Sequence, residues 1–258
     1  MNAPLQIGRY FLALPIIAFG IQYFLYGRFV GGLPPVPPWT PGGAIGAYLV
    51  GAFLVATGIT ITIDQKARWS ALLPGSVFLL CVIALHGPRM HDILVDGVAR
   101  TRALEPLALS GAAFVLGGFL SDDRTISSST PVSSAGITRW GHCLFALPMV
   151  IFGVQHFQYA QVIAGLIPSW IPGHLFWAYF TGIAFIAAAV SIIIRKPGRL
   201  GATLLGIMFL LWVVVLHAPR VLASPHNGDE WSSAFVALAM SGGAFIVAGN
   251  LPDRESAR

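Results

Sequence analysis

Charge is what this sequence has least of. Of its 258 residues only 10% are charged and 56% are hydrophobic, whereas about 25% of residues are charged in soluble domains. That little polar surface cannot cover a domain of this size in water. The apolar residues also form long runs, each close to the roughly 17–25 residues that a helix needs to cross a bilayer. The sequence therefore predicts an integral membrane protein rather than a soluble one.

Several chemical signatures are also missing. The two cysteines, Cys81 and Cys143, are isolated in apolar runs and form no C-x-x-C pair, which excludes a disulfide framework and a dithiol redox motif. The sequence contains no P-loop, dinucleotide fingerprint or nucleophile elbow. All ten acidic residues fall in predicted loops or at predicted helix ends. This placement argues against an ion-coupled transporter, which usually carries a carboxylate within the membrane.

Helix ends placed at charges, Pro/Gly clusters and aromatic residues predict eight spans. They cover 10–30, 44–63, 69–86, 104–120, 140–163, 174–194, 200–217 and 232–250. The fourth apolar stretch is short, so that span is expected to be thin, tilted or extended upstream toward Val98. The first run resembles a signal peptide, but it is too long for one and has a counterpart later in the chain. We therefore expect it to remain as the first transmembrane helix.

The chain is organised as two similar halves, 1–120 and 139–258, joined by a polar Ser/Thr-rich linker at 121–138. The motif ALP-x-x-x-FG-x-Q-x-F-x-Y occurs at 13–26 and again at 146–159, and LHGPR and LHAPR end at Arg89 and Arg220. Corresponding positions are 133 residues apart in the first block and 131 in the later ones. Four helices per half give both halves the same orientation. We predict an all-α membrane protein made of two four-helix bundles in parallel tandem repeat.

Lysine and arginine indicate the orientation. Ten lie on the side that holds both predicted termini and five on the opposite side, so the positive-inside rule predicts cytoplasmic termini in a multi-pass inner-membrane protein. The basic residues form short clusters between apolar runs, which indicates topology signals rather than a nucleic-acid partner. Trp39 and Trp170, in the two outer Pro/Trp loops, are predicted interfacial anchors, with a lid over an external pocket as the alternative.

Polar residues that recur in both halves are the candidates for a site, since each is costly within the membrane. They are Gln22, Tyr23, Tyr26, His86 and Arg89 in the first half, and Gln155, His156, Tyr159, His217 and Arg220 in the second. One interpretation is an external pocket in each half for a quinone-like or other small amphipathic ligand. The other is interhelical hydrogen bonding by Gln and His, with Arg capping helix ends at the headgroups.

Neither a metal site nor a catalytic residue is predicted. His86 and His217 have no carboxylate or thiolate companion that would complete a usual ligand set. The remaining histidines, His91, His142, His174 and His226, lie near predicted helix ends or in loops and have no counterpart in the other half. We therefore leave them out of the candidate site.

The sequence resembles the DoxX-like membrane proteins, whose unit is a four-helix bundle. The similarity lies in FG-x-Q-x-F in the first helix, the outer loop IPSWIPGH, the second helix YFTGIAFIAAAV and the basic turn RKPGR. The resemblance implies a quinone-linked, redox-associated membrane subunit that works with a redox partner, but it supplies no catalytic residue. From the residues alone, a non-catalytic scaffold and an uncoupled permease for a small apolar solute remain alternatives.

Overall fold

The protein is helical throughout the residues that the structure describes, 1–29, 42–63, 68–120 and 134–252 of a computed structural model. The long helices are α1 (Ala3–Tyr26), α2 (Gly43–Ile63), α3 (Arg68–Val95), α4 (Gly97–Phe119), α5 (Ser134–Gln158), α6 (His174–Ile194), α7 (Gly198–Ala223) and α8 (Gly228–Asn250). A short helix, Ala160–Ala164, follows α5. Trp39 and residues 121–133 of the predicted linker lie outside the described residues.

Seven of these helices, all except α4, are long and apolar enough to cross a membrane. Their outward surface carries large apolar side chains, including Leu25 at 75% exposure and Leu222 at 80%. A surface of that kind is stable against lipid tails and unfavourable in water. The prediction of an all-α, multi-pass membrane protein is confirmed.

Helix starts differ from the predictions where a polar cap was overlooked. Asp96 caps α4, because its carboxylate accepts hydrogen bonds from the backbone N–H groups of Val98 and Ala99 at 2.9 and 3.3 Å. The helix therefore begins at Gly97, seven residues before the predicted start. Asn227 caps α8 in the same way. Such side chains satisfy the first backbone N–H groups of a helix, which have no partner within it.

The other end of a helix can be set by glycine, as at the end of α1. Gly27 adopts the left-handed conformation with φ of 60°, and its N–H bonds to the Tyr23 carbonyl. The helix therefore ends at Tyr26 and not at residue 30 as predicted, because glycine reaches this conformation without steric cost. Helix α5 begins at Ser134, so 134–138 are helical although the sequence predicted linker there.

The early start of α4 corrects the prediction that every acidic residue lies in a loop or at a helix end. Glu105 lies two turns inside α4, and Arg100 and Arg102 lie within its first two turns. Arg100 donates to the carbonyls of Ile93 and Leu94 at the end of α3, at 2.9 and 2.7 Å. These charges lower the apolar character of α4, which accounts for its absence from the seven candidate spans.

Helices α4 and α8 occupy the middle of the molecule. Each long helix contacts the next along the chain, α8 also packs on α1, and α4 contacts α8 across the resulting ring. In the most apolar part of α8, 78% of residues are buried, against 22–50% in the other candidate spans. Because α1 packs mainly on α8 and α2, and α5 mainly on α4 and α6, the two halves interlock. They differ in this respect from two self-contained bundles.

Pairs of glycines bring the interlocking helices together. Gly8 of α1 faces Gly242 of α8, and Gly141 of α5 faces Gly111 of α4. A Cβ atom at Gly242 would lie 2.5 Å from the Leu12 nitrogen, and one at Gly111 would lie 2.5 Å from the Phe145 nitrogen. Helices in lipid associate through close packing of this kind, since burial from water supplies no driving force between them.

We predict that Gly111→Ala destabilises the protein by roughly 1–3 kcal/mol, because the new methyl group would force α4 and α5 apart. Thermal unfolding in detergent measures the effect. Gly87→Ala is the matched control, since a Cβ there meets no atom within 4 Å. Equal unfolding temperatures for the two variants would contradict the proposed contact.

Candidate functional site

His86 and His217 each close a π-helical segment, Val82–His86 in α3 and Val213–His217 in α7. A proline follows two residues later in both cases, Pro88 and Pro219. Proline lacks an N–H and its ring clashes with the carbonyl four residues earlier, so the wider turn lies where a regular α-helix is least favourable. Turns of this type are frequent at functional sites.

The two π segments face the central helices. The segment in α3 contacts α4 and the one in α7 contacts α8. Nδ1 of His217 is buried and has no hydrogen-bond partner among the described residues. The two π segments therefore contact corresponding central helices, and their histidines lie on different helices from the predicted glutamines.

The two glutamines join the halves. Nε2 of Gln22 donates to the Gly228 carbonyl at 3.3 Å, and Nε2 of Gln155 donates to the Gly97 carbonyl at 2.9 Å. Gln155 also reaches Thr101 Oγ1 at 3.3 Å. These bonds tie α1 to the first turn of α8 and α5 to the first turn of α4. They correspond to the interhelical interpretation of these residues.

Tyr26 and Tyr159 cover the same two first turns. A Cβ at Gly228 would lie 2.7 Å from Tyr26 Oη, and one at Gly97 would lie 2.7 Å from Tyr159 Cε2. Each tyrosine therefore packs directly on the glycine whose carbonyl accepts the glutamine bond. The Gln/Tyr pairs and these glycines form the two seams between α1 and α8 and between α5 and α4.

His156 lies in a different environment, an aromatic cluster formed by Phe152, Phe185, Phe209 and Trp212 of α5, α6 and α7. Its ring centroid is 5.2 Å from that of Phe185, and it stacks on Trp212 at 6.1 Å with 22° between the planes. Nδ1 lies 2.8 Å from the Phe152 carbonyl oxygen. In the first half the corresponding residue is Tyr23, fully buried and edge-on to Phe29.

Arg220 forms an ion pair between the C-terminal end of α7 and the N-terminal end of α8. Its Nη2 donates to Glu230 Oε1 at 2.9 Å, and Nε lies 2.9 Å from Oε2. Residue 99, which corresponds to Glu230, is alanine, and residue 81, which corresponds to Trp212, is cysteine. Because candidates had to recur in both halves, sequence reasoning missed Glu230 and Trp212. A search for charged or aromatic residues present in one half alone would have found them.

The ten candidate residues therefore divide among several surroundings, that of Tyr23 being its contact with Phe29. Gln22, Tyr26, Gln155 and Tyr159 form the seams, His156 belongs to the aromatic cluster, and His217 and Arg220 lie toward α8. The π segment that ends at His86 contacts α4, and Arg89 follows in an exposed position. In the described part of the chain, no three His, Cys, Asp or Glu side chains are grouped so that they could hold a metal ion.

Comparison with known proteins gives one match. The family model described as Domain of unknown function (DUF8561) matches residues 145–239. This range contains the aromatic cluster, the second π segment and the Arg220–Glu230 ion pair. No curated protein and no solved structure matches the chain.

We predict that Gln155→Leu lowers the free energy of unfolding by about 1 kcal/mol, because the Gly97 carbonyl loses a donor that lipid cannot replace. Gln22→Leu should have a similar effect at the other seam. Gln161→Leu, at an exposed position of the short helix, is the control. Unfolding in detergent monitored by circular dichroism compares the three, and a control as unstable as the seam variants would count against the assignment.

The Arg220–Glu230 pair should contribute modestly, since the Arg220 side chain is 40% exposed and exposed ion pairs are worth about 0.2–1 kcal/mol. A double-mutant cycle with Arg220→Ala and Glu230→Gln measures their coupling. We expect a favourable coupling within that range that weakens in high salt. A coupling of zero at low salt would show that the ion pair does not stabilise the junction between α7 and α8.

Proposed function

We propose that this protein is an inner-membrane protein of DoxX-like type, with eight spans in parallel tandem repeat and both termini cytoplasmic. Helix α4 has 23 residues, which suffices to cross the hydrocarbon core. It is surrounded by α3, α5 and α8, where Arg100 and Glu105 are half-buried, and the exposed Arg102 lies near the start of the helix. These two features support counting α4 as the eighth span.

Paired contacts support the repeat. Ser110 Oγ donates to the Gly75 carbonyl at 2.7 Å, and Ser241 Oγ donates to the Gly206 carbonyl at 2.8 Å. Both residues of the second bond lie 131 positions after those of the first. The two seams and the two glycine crossings are paired in the same way, as expected for two copies of one unit related by an approximate two-fold axis.

For activity, we propose that the outer part of the second half binds a lipid-soluble ligand of the quinone class, as a redox-associated subunit that exchanges electrons with a partner. The observation that carries this proposal is the setting of His156. Its imidazole is half-buried among aromatic rings, and a backbone carbonyl orients it at 2.8 Å.

The chemistry of that setting suits a quinol. A carbonyl oxygen has no proton to give, so Nδ1 must be the protonated nitrogen of the hydrogen bond. In the neutral imidazole Nε2 then keeps a lone pair, which accepts a hydrogen bond from a quinol hydroxyl. In the protonated form the same nitrogen donates to a quinone carbonyl. The Trp212 ring beside it offers an aromatic face to a flat ring.

The test uses full-length protein in nanodiscs and ubiquinone-1 as the probe, with bound quinone measured by equilibrium dialysis and mass spectrometry. His156→Phe keeps an aromatic ring in the cluster but removes both ring nitrogens. We expect it to weaken quinone binding about tenfold, which corresponds to one lost hydrogen bond. Tyr23→Phe, at the corresponding position of the first half, is the control and should bind as the wild type does.

Two results would contradict the proposal. Equal quinone binding by wild type and His156→Phe would exclude His156 as a ligand residue. No quinone binding by the wild type would favour the non-catalytic scaffold, in which the aromatic cluster only stabilises the bundle. In that case His156→Phe should still change the unfolding temperature.

A further inference from the structure

A cavity lies at the opposite end of the molecule from the predicted site. It has a volume of about 280 Å³, is open on one side, and is lined by residues at the ends of α4, α5, α6 and α8. The polar side chains that line it belong to Ser134, Thr138, His142, Arg195 and Asn250. Under the orientation proposed above, this cavity opens at the cytoplasmic end.

His142 is the observation that points to a ligand. Its side chain lines the cavity, the residue is only 4% exposed, and neither ring nitrogen has a hydrogen-bond partner among the described residues. Buried polar side chains are nearly always hydrogen-bonded, because an unpaired one loses its hydration without compensation. Both nitrogens have almost no accessible surface, so a ligand in the cavity reaches one of them after a turn of the His142 ring and then supplies the missing partner.

The remaining lining indicates the charge of that ligand. Arg195 contributes a guanidinium, and among the described residues of the lining none carries a carboxylate. Ser134 begins the 25-residue helix α5, and the first backbone N–H groups of a helix attract anions. Arginine, imidazole N–H, hydroxyl and amide groups together favour an oxyanion with several acceptor oxygens.

In the first half, the positions that correspond to His142 and Ala135 carry larger polar side chains. Arg9 precedes His142 by 133 positions and is 2% exposed. Its Nη2 donates to the Thr62 carbonyl at 2.5 Å. Asn2, which corresponds to Ala135, donates to the Gly249 carbonyl at 2.7 Å. At these two positions the first half thus bonds larger polar side chains to backbone carbonyls, whereas His142 has no hydrogen-bond partner among the described residues.

We infer that this cavity binds a phosphate group, with Arg195 and His142 as its main ligands. The group is either the headgroup of an anionic phospholipid or free phosphate, since both present the same acceptor oxygens. The volume is close to the lower limit of roughly 300 Å³ for small-molecule pockets, which suits a phosphate with a short polar attachment. Basic pockets between helices at the cytoplasmic side are known to bind such headgroups.

The experiment measures the unfolding temperature of delipidated full-length protein in neutral detergent. One arm adds phosphatidylglycerol, with phosphatidylcholine for comparison, and the other adds inorganic phosphate against chloride at equal ionic strength. Native mass spectrometry records which molecule stays bound. Stabilisation by phosphatidylglycerol but not phosphatidylcholine indicates a lipid headgroup, and stabilisation by inorganic phosphate alone indicates free phosphate.

Two variants and one control test whether the ligand binds in this cavity. Arg195→Gln should weaken binding about tenfold, which corresponds to losing one charge-assisted hydrogen bond. Arg28→Gln removes the same charge from an exposed position at the other end and should leave binding unchanged. His142→Leu should abolish the ligand-induced rise without lowering the basal unfolding temperature, because it removes a buried, unpaired polar group.

The inference is overturned if neither phosphatidylglycerol nor phosphate stabilises the wild type. It is equally overturned if Arg195→Gln and His142→Leu respond to both probes as the wild type does. Loss of binding in Arg28→Gln to the same extent as in Arg195→Gln would indicate a general effect of surface charge, which also contradicts a built site.

Discussion

The close approach of α1 to α8 and of α5 to α4 is the contact on which the rest of the structure depends. Between apolar helices in lipid, association relies on packing and on hydrogen bonds that the bilayer cannot supply. Gly8 and Gly242 permit the approach at one crossing, and Gln22 completes it with a bond to the Gly228 carbonyl. The same contacts enclose α4, which allows a helix with Arg100 and Glu105 to lie within a membrane bundle.

On this paired frame, the two halves differ at a few side chains. His156 of the second half occupies the position that Tyr23 has in the first, and His142, near the opposite end of the same helix, occupies the position that Arg9 has. Both changes put an imidazole in the second half. Each has a different setting, since His156 bonds to the Phe152 carbonyl whereas His142 has no described partner. The common frame supplies stability, and the second half carries both proposed binding sites.

The existence of the helices could be predicted because long apolar runs with few charges have one stable outcome in a membrane. Their exact ends could not, since Asp96 and Gly27 act through local backbone geometry that composition does not register. The sequence also could not predict which helices pack against each other. A repeat indicates two similar units, but it does not state whether α1 packs on the last helix of its own half or of the other.

Part of the candidate site could be predicted because some of its residues recur in both halves. Recurrence identified Gln22 and Gln155, whose role in the seams is shared by both halves, and it identified the histidines that end the π segments. It could not identify Glu230, Trp212 or the setting of His142, because these features are confined to one half. Binding sites that arise after a duplication are expected where the copies differ, and a search for shared residues overlooks them.

Cross-linking of α1 tests the interlocked arrangement most directly. Phe11 and Phe245 have ring centroids 6.3 Å apart, and Phe114 holds the position in α4 that corresponds to Phe245. In protein without Cys81 and Cys143, the pair Phe11→Cys and Phe245→Cys should be joined within one chain by a short bifunctional reagent in native membranes. Phe11→Cys with Phe114→Cys should not. Cross-linking of the second pair in place of the first would show two self-contained bundles and contradict the interlocked fold.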